Sequence, residues 1–316
     1  MKCLEGKLTR RQTLALMAGT VVSMLAPGLC RAQTQLVLLR MALSIDTLGE
    51  INIDDARAAY MALINEYNSG HGGRVSAEVV PGVFVPSGEL LRDFRQDTIQ
   101  CFGATALEYA KLLEFVDPEF LVLQDYLADG MEYVLLVHSS SSFETIASLR
   151  DAQILTHLHR DMALLPAWLG TLLAANNLPQ PERFFGAMTS SAKINQVVLP
   201  VFFRRAGGAC LARRSWETAV ELNPQLGRDL RVLAVSPRII PIAIGFRRNC
   251  NAMGRKLLLD SMLNVTSTAS GRQMAALYQA NRFLQRPASV MKGTLEMIRQ
   301  YERVSAQMAG PRNGKP

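Results

Sequence analysis

Cysteine and histidine are scarce in this chain, and neither is grouped as a metal or catalytic site requires. The 316 residues include five cysteines and four histidines. Their wide spacing fits neither a disulfide framework nor a zinc site, and Cys101 and Cys210 are predicted to be small buried apolar residues. The sequence also lacks a GxSxG, an HExxH and a phosphate-binding glycine loop. We therefore expect no metal, no cofactor and no enzymatic activity.

The chain also lacks an apolar run long enough to anchor it in a bilayer. The uncharged residues 13–26 would extend only about 20 Å as a helix, short of the hydrocarbon core of roughly 30 Å. Positive residues precede this run, and Pro27-Gly28 breaks it. A positive segment, a short apolar segment and a small residue near the end indicate a secretory signal, which we assign to residues 1–32.

Two adjacent arginines suggest how the protein is exported. Arg10-Arg11 in LTRRQTLALM resembles the twin-arginine signal of bacteria, which predicts a periplasmic protein exported by that route. An ordinary secretory signal that happens to contain two arginines is the alternative. A lipoprotein signal is disfavoured, because Leu29 is bulky where the residue before a lipid-attached Cys30 is small.

Charge of one sign does not dominate once the signal is removed. The formal net charge of +7 includes five positive residues and one negative residue within 1–32, so the remaining chain carries +3. No block of Lys and Arg remains that would bind a phosphate backbone, and we expect no nucleic-acid partner. The positive balance of the whole chain is largely a property of its export signal.

What the sequence does contain is a recurring order of apolar strand, loop and amphipathic helix. The first set runs through strands near 36–43, 75–80 and 98–102, each followed by a helix. A second set begins after Asp129-Gly130 with MEYVLLV, and Thr189-Ser190-Ser191 is predicted to cap a helix over 192–203. This alternation predicts an α/β fold with mostly parallel sheets, helices on both faces and a helical C-terminal segment.

The order of these segments resembles the type II periplasmic solute-binding proteins of ABC importers. The stretch ACLARRSWETAVELNPQLGRDLRVLAVSPRIIPIAIGFRRN is similar to the phosphate/phosphonate-binding branch, as are SLRDAQI and QCFGATALEYAKL. The resemblance covers roughly residues 36–300. It implies a two-lobed receptor outside the cytoplasm that closes on a small anion by a hinge and delivers it to an ABC permease in the inner membrane.

The resemblance also implies a division of the chain into lobes. We expect lobe one to comprise residues 34–126 and 239–307, lobe two to comprise 127–238, and 308–316 to be a disordered tail. We expect the protein to act as a monomer.

Ligand contacts are expected on loops that follow strands, where free backbone N–H groups and the positive ends of helices favour anions. Lobe one offers Ser44, Thr47, Phe84, Ala104 and Thr105. Lobe two offers His157, Arg160, Asp161, Thr189 and Ser190. Several of these have structural alternatives: Phe84 as a core residue, the Thr-Ser pair as a helix cap, and Arg160 as a partner of Asp161.

The chain departs from the phosphonate-binding pattern at two places. The Ser-Thr-Ser-Gly-like turn of that branch is replaced by HLHRDMALLP, and the acids of its Val-Asp-Ala-Gly strands are absent at Gln100 and Gly207. Arg160 therefore suggests another anion, such as a carboxylate or a sulfonate. A periplasmic sensing module that signals to a kinase or chemoreceptor is the alternative function.

Overall fold

The computed structural model describes residues 37–70 and 75–309, which form eleven strands and eleven α-helices. The strands are β1 (Val37–Ser44), β2 (Val75–Val85), β3 (Cys101–Thr105), β4 (Phe120–Gln124), β5 (Tyr133–His138), β6 (Gln153–His157), β7 (Ala187–Ser191), β8 (Gly208–Ala212), β9 (Leu230–Val235), β10 (Ile242–Phe246) and β11 (Phe283–Pro287). The helices are α1 (Ile53–Gly70), α2 (Ser87–Arg95), α3 (Ala106–Ala110), α4 (Leu165–Ala175), α5 (Pro181–Phe184), α6 (Ile194–Phe202), α7 (Arg213–Leu222), α8 (Pro224–Asp229), α9 (Ala252–Leu263), α10 (Ala269–Leu277) and α11 (Lys292–Ala309).

The strands form two sheets, and we use the names lobe one and lobe two for the sheets with their helices. In lobe one the strand order is β11-β4-β10-β3-β1-β2. In lobe two the order is β7-β6-β8-β5-β9. This is a two-lobed α/β architecture with a helical C-terminal segment, as the sequence predicts.

Both sheets are mixed, whereas the sequence pattern predicts mostly parallel ones. Strands β1, β2 and β3 are parallel, but β10 runs antiparallel to β3 and β4, and β11 runs antiparallel to β4. In lobe two β6 is parallel to its neighbours, whereas β5 is antiparallel to β8 and β9. Strands β5 and β10 each follow a passage of the chain from one sheet to the other. A crossover helix within one sheet makes the two strands that it joins parallel. Among the described residues no such helix leads into β5 or β10, so these strands can run antiparallel to their neighbours.

The two passages between the sheets lie side by side. Met131 pairs with Ile239 in an isolated antiparallel bridge, and the backbone N–H of Tyr133 donates to Oγ of Ser236 at 2.8 Å. Helix α11 packs against α4 of lobe two and also against α3 of lobe one. Paired backbone and a shared helix therefore join the lobes on this side.

Three local predictions differ from the structure. Thr189, Ser190 and Ser191 belong to β7 and do not cap α6, which begins at Ile194 after Lys193 without a side-chain cap. Strand β4 was missed although all its residues are buried, and β11 was missed because it lies in a region whose helical pattern hides it. Strand β11 has Arg286 and Pro287 at its end and lies at the edge of its sheet, where proline is tolerated.

The structure confirms the prediction that Cys101 and Cys210 are buried. Cys101, Cys210 and Cys250 are free thiols and all three are buried. Burial raises the pKa of Cys250 to about 11, so this thiol stays protonated at neutral pH. These residues fill space as small apolar side chains.

Two further predictions fall largely or wholly outside the described residues. The signal peptide 1–32 lies outside them, as does all of the predicted tail except residues 308 and 309, which end α11. Within residues 37–70 and 75–309, every helix is either too short or too polar to cross a bilayer.

Candidate functional site

The wall of lobe two that faces lobe one is built by the turn after β6. His159 caps a short 3-10 turn, Arg160–Met162, by accepting the N–H of Asp161 on its side chain at 3.2 Å. Helix α4 follows at Leu165. The turn carries the guanidinium of Arg160 and the carboxylate of Asp161, and the imidazoles of His157 and His159 lie directly before it.

Arg160 extends from this turn into lobe one. Only 2% of the residue is exposed. Its Nη2 donates to the hydroxyl of Tyr126 at 2.9 Å and to the backbone carbonyl of Tyr278, and its guanidinium carbon lies 5.0 Å from the centre of the Tyr278 ring. Asp161 Oδ1 lies 3.5 Å from Arg160 Nε and accepts the Tyr126 hydroxyl at 3.1 Å. The expected pairing of Arg160 with Asp161 is therefore present, and the pair is buried.

The two lobes also touch at the loop before α1. His159 Nε2 lies 3.0 Å from Oε1 of Glu50, and Oε2 of Glu50 accepts the backbone N–H of Arg160 at 3.3 Å. Gly49 has φ +57°, and a Cβ placed on it would lie 2.6 to 2.9 Å from backbone and Cβ atoms of Arg160. The closeness of this contact requires glycine at position 49. We call the set Gly49, Glu50, Tyr126, His159, Arg160 and Tyr278 the latch.

The charge state of the latch follows from its surroundings. Burial alone would raise the pKa of Glu50, but hydrogen bonds and charge from His159, together with the N–H of Arg160, lower it to about 2. Burial lowers the pKa of His157, and the neighbouring His159, whose ring stacks on it at 5.4 Å, lowers it further. At neutral pH the junction thus holds an ionised carboxylate, a guanidinium and a neutral His157.

The wall of lobe one is organised by the buried carboxylate of Glu108, which is not among the predicted ligand contacts. Glu108 accepts the hydroxyl of Ser44 at 2.5 Å, and its other oxygen accepts the N–H and the hydroxyl of Thr105 at 2.8 and 2.9 Å. Thr105 in turn caps α3. The Ser44 and Thr105 hydroxyls therefore donate to the protein itself. Thr47 lies beside them and donates to the carbonyl of Ser44 at 2.7 Å.

The remaining predicted contacts lie in other surroundings. Phe84 is buried in the core of lobe one, 5.5 Å from the ring of Tyr60, which fits its core alternative. Ala104 is buried in β3. Thr189 and Ser190 are exposed on β7 at the edge of lobe two, where Ser190 Oγ lies 2.7 Å from Oγ1 of Thr156. Whether any of them contacts a ligand stays a prediction.

Two nitrogens at the junction have no hydrogen-bond partner among the described residues. They are Nε of Arg160 and Nδ1 of His157, and both residues are more than nine-tenths buried. A buried polar atom without a partner is costly and is rare in folded proteins. These two atoms mark the place where a bound polar group would be stabilised.

Comparison with known proteins gives the family. Residues 74–286 match the family model described as ABC transporter, phosphonate, periplasmic substrate-binding protein. The chain belongs to this family. As a member it is a periplasmic protein that binds a small ligand, works with a membrane permease and is not an enzyme. The sensing alternative is not favoured, because the family is one of transporter components.

Solved structures share the fold of this family member at low identity. One is the binding protein component of an ABC phosphonate transporter from Pseudomonas aeruginosa, with 15% identity, 88% and 90% of the two chains covered and a TM-score of 0.52. Another is PhnD1 from Prochlorococcus marinus in complex with methylphosphonate, with 15% identity, 84% and 98% covered and a TM-score of 0.54. XAC2383 from Xanthomonas citri bound to ATP has 13% identity, 85% and 98% covered and a TM-score of 0.58. No curated protein sequence matches the chain.

Proposed function

We propose that this family member captures a small oxyanion at the junction of its two lobes, with Arg160 as the cation that binds it. The observation that carries the proposal is the buried guanidinium of Arg160, whose Nε lies 3.5 Å from Asp161 Oδ1 but has no hydrogen-bond partner among the described residues. A guanidinium offers parallel N–H donors that match the oxygens of phosphonate, sulfonate or carboxylate groups. His157 Nδ1 supplies a second unpaired atom on the same wall.

The latch supplies the mechanism that we propose for closure. In the structure Arg160 Nη2 donates to the Tyr278 carbonyl and the Tyr126 hydroxyl, so the protein itself occupies part of the guanidinium. When the lobes separate, Nη2 of Arg160 leaves the carbonyl of Tyr278 and an anion can enter; when they close again, Nη2 returns to Tyr278 and Nε holds the anion. A ligand that contacts both walls then favours the closed form over the open one.

The lobe-one wall restricts where the anion sits. Glu108 is buried there, and burial, together with the charge of Glu108, raises the pKa of Asp46. Two carboxyl groups on this wall repel an anion, whereas the carboxylate of Asp161 beside Arg160 already accepts the Tyr126 hydroxyl and pairs with the guanidinium, so we place the oxyanion against lobe two. A ligand group that donates hydrogen bonds would suit the lobe-one side.

Titration calorimetry with a panel of anions tests the proposal. Methylphosphonate is the first probe, because a relative of the same fold was solved with it. Phosphate, phosphite, a short alkylsulfonate and a short carboxylate complete the panel. We expect at least one of them to bind with saturable heat, and no binding by any of them would contradict an anion site.

Substitution of the cation then assigns the site. Arg160→Met removes charge-assisted hydrogen bonds worth about 1.5–3 kcal/mol, so we expect the Kd of the best anion to rise roughly 10- to 100-fold. Arg299→Met is the control, since Arg299 lies exposed on α11 and pairs there with Glu296. Equal weakening by both variants would argue against a role for Arg160.

We further propose that export uses the twin-arginine route and that the protein acts as a monomer with the lobe boundaries predicted from its sequence. The adjacent arginines Arg10-Arg11 support the export route. Replacing both with lysine is expected to leave precursor in the cytoplasm, and unchanged periplasmic yield would contradict it. Light scattering of the purified protein measures its mass, and a dimer would contradict the monomer.

A further inference from the structure

An apolar pocket in lobe one is separate from the latch. It has a volume of about 550 Å³ and lies between α1 and α9, with Met41, Ile244 and Phe283 of the sheet beneath it. Side chains of Tyr60 and Leu258 are among its walls. Protein interiors are normally close-packed, and apolar cavities do not hold water well. The volume lies within the range of about 300–1,000 Å³ that is typical of small-molecule sites.

The charged side chains that line this pocket, among the residues that the structure describes, are acidic. Its lining includes Glu66 and Asp260, both exposed, and no Lys, Arg or His among the described residues. Glu66 accepts a hydrogen bond from Ser270, and its pKa is lowered by that bond, so it is ionised at neutral pH. The nearby cation Arg272 donates to the carbonyls of Thr266 and Ser267.

We propose that this pocket binds a small amphipathic cation, with its apolar body between α1 and α9 and its charged group beside Glu66 and Asp260. The apolar walls account for the body, since burying an alkyl or aromatic group there removes it from water. The two carboxylates at the rim account for the sign of the charge. They would repel an anionic amphiphile such as a fatty acid. The site is independent of the proposed function at the latch.

A matched ligand series tests both parts of the proposal. Octylammonium, octanol and octanoate share one chain and differ in the charge of the head group at pH 7. Titration calorimetry of the full chain is expected to give a Kd for octylammonium at least ten-fold lower than for octanoate, with octanol between them. Absence of octylammonium binding, or octanoate binding as tightly, would overturn the proposal.

Variants locate the binding and separate it from the latch. Leu258→Trp and Ser261→Phe each fill the pocket and are expected to abolish octylammonium binding, whereas Leu222→Trp, at an exposed site on α7, leaves it unchanged. Two filling variants are used so that one folding failure, detected by circular dichroism, does not decide the result. Octylammonium binding that persists in a folded filling variant places the ligand elsewhere and overturns the proposal.

The charge part has its own variant. In the double variant Glu66→Gln with Asp260→Asn, the preference for octylammonium over octanoate is expected to disappear while octanol binds as before. Arg160→Met should retain octylammonium binding, so failure of the anion site and failure of this pocket are distinguishable. A preference that survives the double variant would show that these carboxylates do not select the ligand.

Discussion

Gly49 shows how one residue controls the contact between the lobes. Its φ of +57° lies in the left-handed region, and a Cβ would lie within 2.9 Å of Arg160 backbone and Cβ atoms. Two of the three nearest atoms belong to the backbone of Arg160, so the loop or the turn must shift to admit a Cβ. A methyl group at this position would therefore push the two lobes apart at the latch.

We expect Gly49→Ala to separate the lobes and to lower stability by about 1–2 kcal/mol from backbone strain alone. Small-angle scattering should show a larger radius of gyration than for the unaltered protein, and the melting temperature should fall. Gly88→Ala is the matched control, because a Cβ on Gly88 in α2 meets no atom within 4 Å. An unchanged radius for Gly49→Ala would mean that the lobes adjust without opening.

Glu108 is a second residue whose role depends on burial. It accepts the Ser44 hydroxyl and both the N–H and the hydroxyl of Thr105, and it is 3% exposed. In Glu108→Gln an amide NH2 replaces one carboxylate oxygen, so the donors that bonded to that oxygen lose their acceptor. A buried donor without an acceptor costs about 1–3 kcal/mol, so chemical denaturation should show a loss of that size. Glu114→Gln, at an exposed position just after α3, should change stability little; equal losses would contradict the assignment.

The residues of the site were predictable only in part, and the reason is physical. Arg160 and Asp161 follow a strand and precede a helix, which local patterning detects. The partners of Arg160 are Tyr126 and Tyr278, and Tyr278 is 118 positions away in the chain. A contact across that distance is set by how the lobes meet and leaves no local pattern. Glu108 did leave one, because Thr105-Ala106-Leu107-Glu108 fits the capping box.

At the scale of elements, most strands with continuous apolar runs were predicted, whereas the edge strands β7 and β11 were assigned in part or whole to helical segments. Strand β5 is buried over Tyr133–Val137 and, apart from its last residue His138, lies within the predicted strand MEYVLLV. Strand β7 exposes most of its residues, including Thr189 and Ser190, at the edge of its sheet, so its polar sequence resembles a helix cap. Hydroxyl residues serve both purposes, and only the neighbouring strand distinguishes them.

Helix α11 is an element whose attachment can be tested. Its Thr294 is 1% exposed, and Oγ1 accepts the backbone N–H of Ile240, which belongs to a passage between the lobes, at 2.9 Å. Thr294→Val keeps the shape of the side chain but leaves that N–H without an acceptor. We expect a loss of about 1–3 kcal/mol in the free energy of unfolding, measured by urea denaturation. Thr294→Ser keeps the hydroxyl and should lose much less; equal losses would assign the effect to packing.

At the scale of the whole molecule, proton binding and contact between the lobes are linked. His157 has a lowered pKa in the folded protein because it is buried beside His159. The unfolded chain, where histidine titrates near its ordinary value of about 6.5, takes up the proton first. Glu50 behaves in the same direction at lower pH, since its pKa of about 2 lies below the usual value of 4.5. Both groups therefore favour the folded, latched form at neutral pH and oppose it in acid.

We expect the melting temperature to fall as pH drops below about 6.5, with a stability slope of up to about 1.4 kcal/mol per pH unit from His157, and to fall further between pH 4.5 and 2 through Glu50. Scanning calorimetry at pH 7.5 and 5.5 measures the first step. His157→Gln cannot take up the proton, so its decrease over that interval should be smaller than in the unaltered protein. His138→Gln, at the end of β5 and away from the stacked His157 and His159, should keep the original decrease. If His157→Gln and the unaltered protein lose the same amount, another group carries the linkage and His157 does not govern the pH dependence of stability.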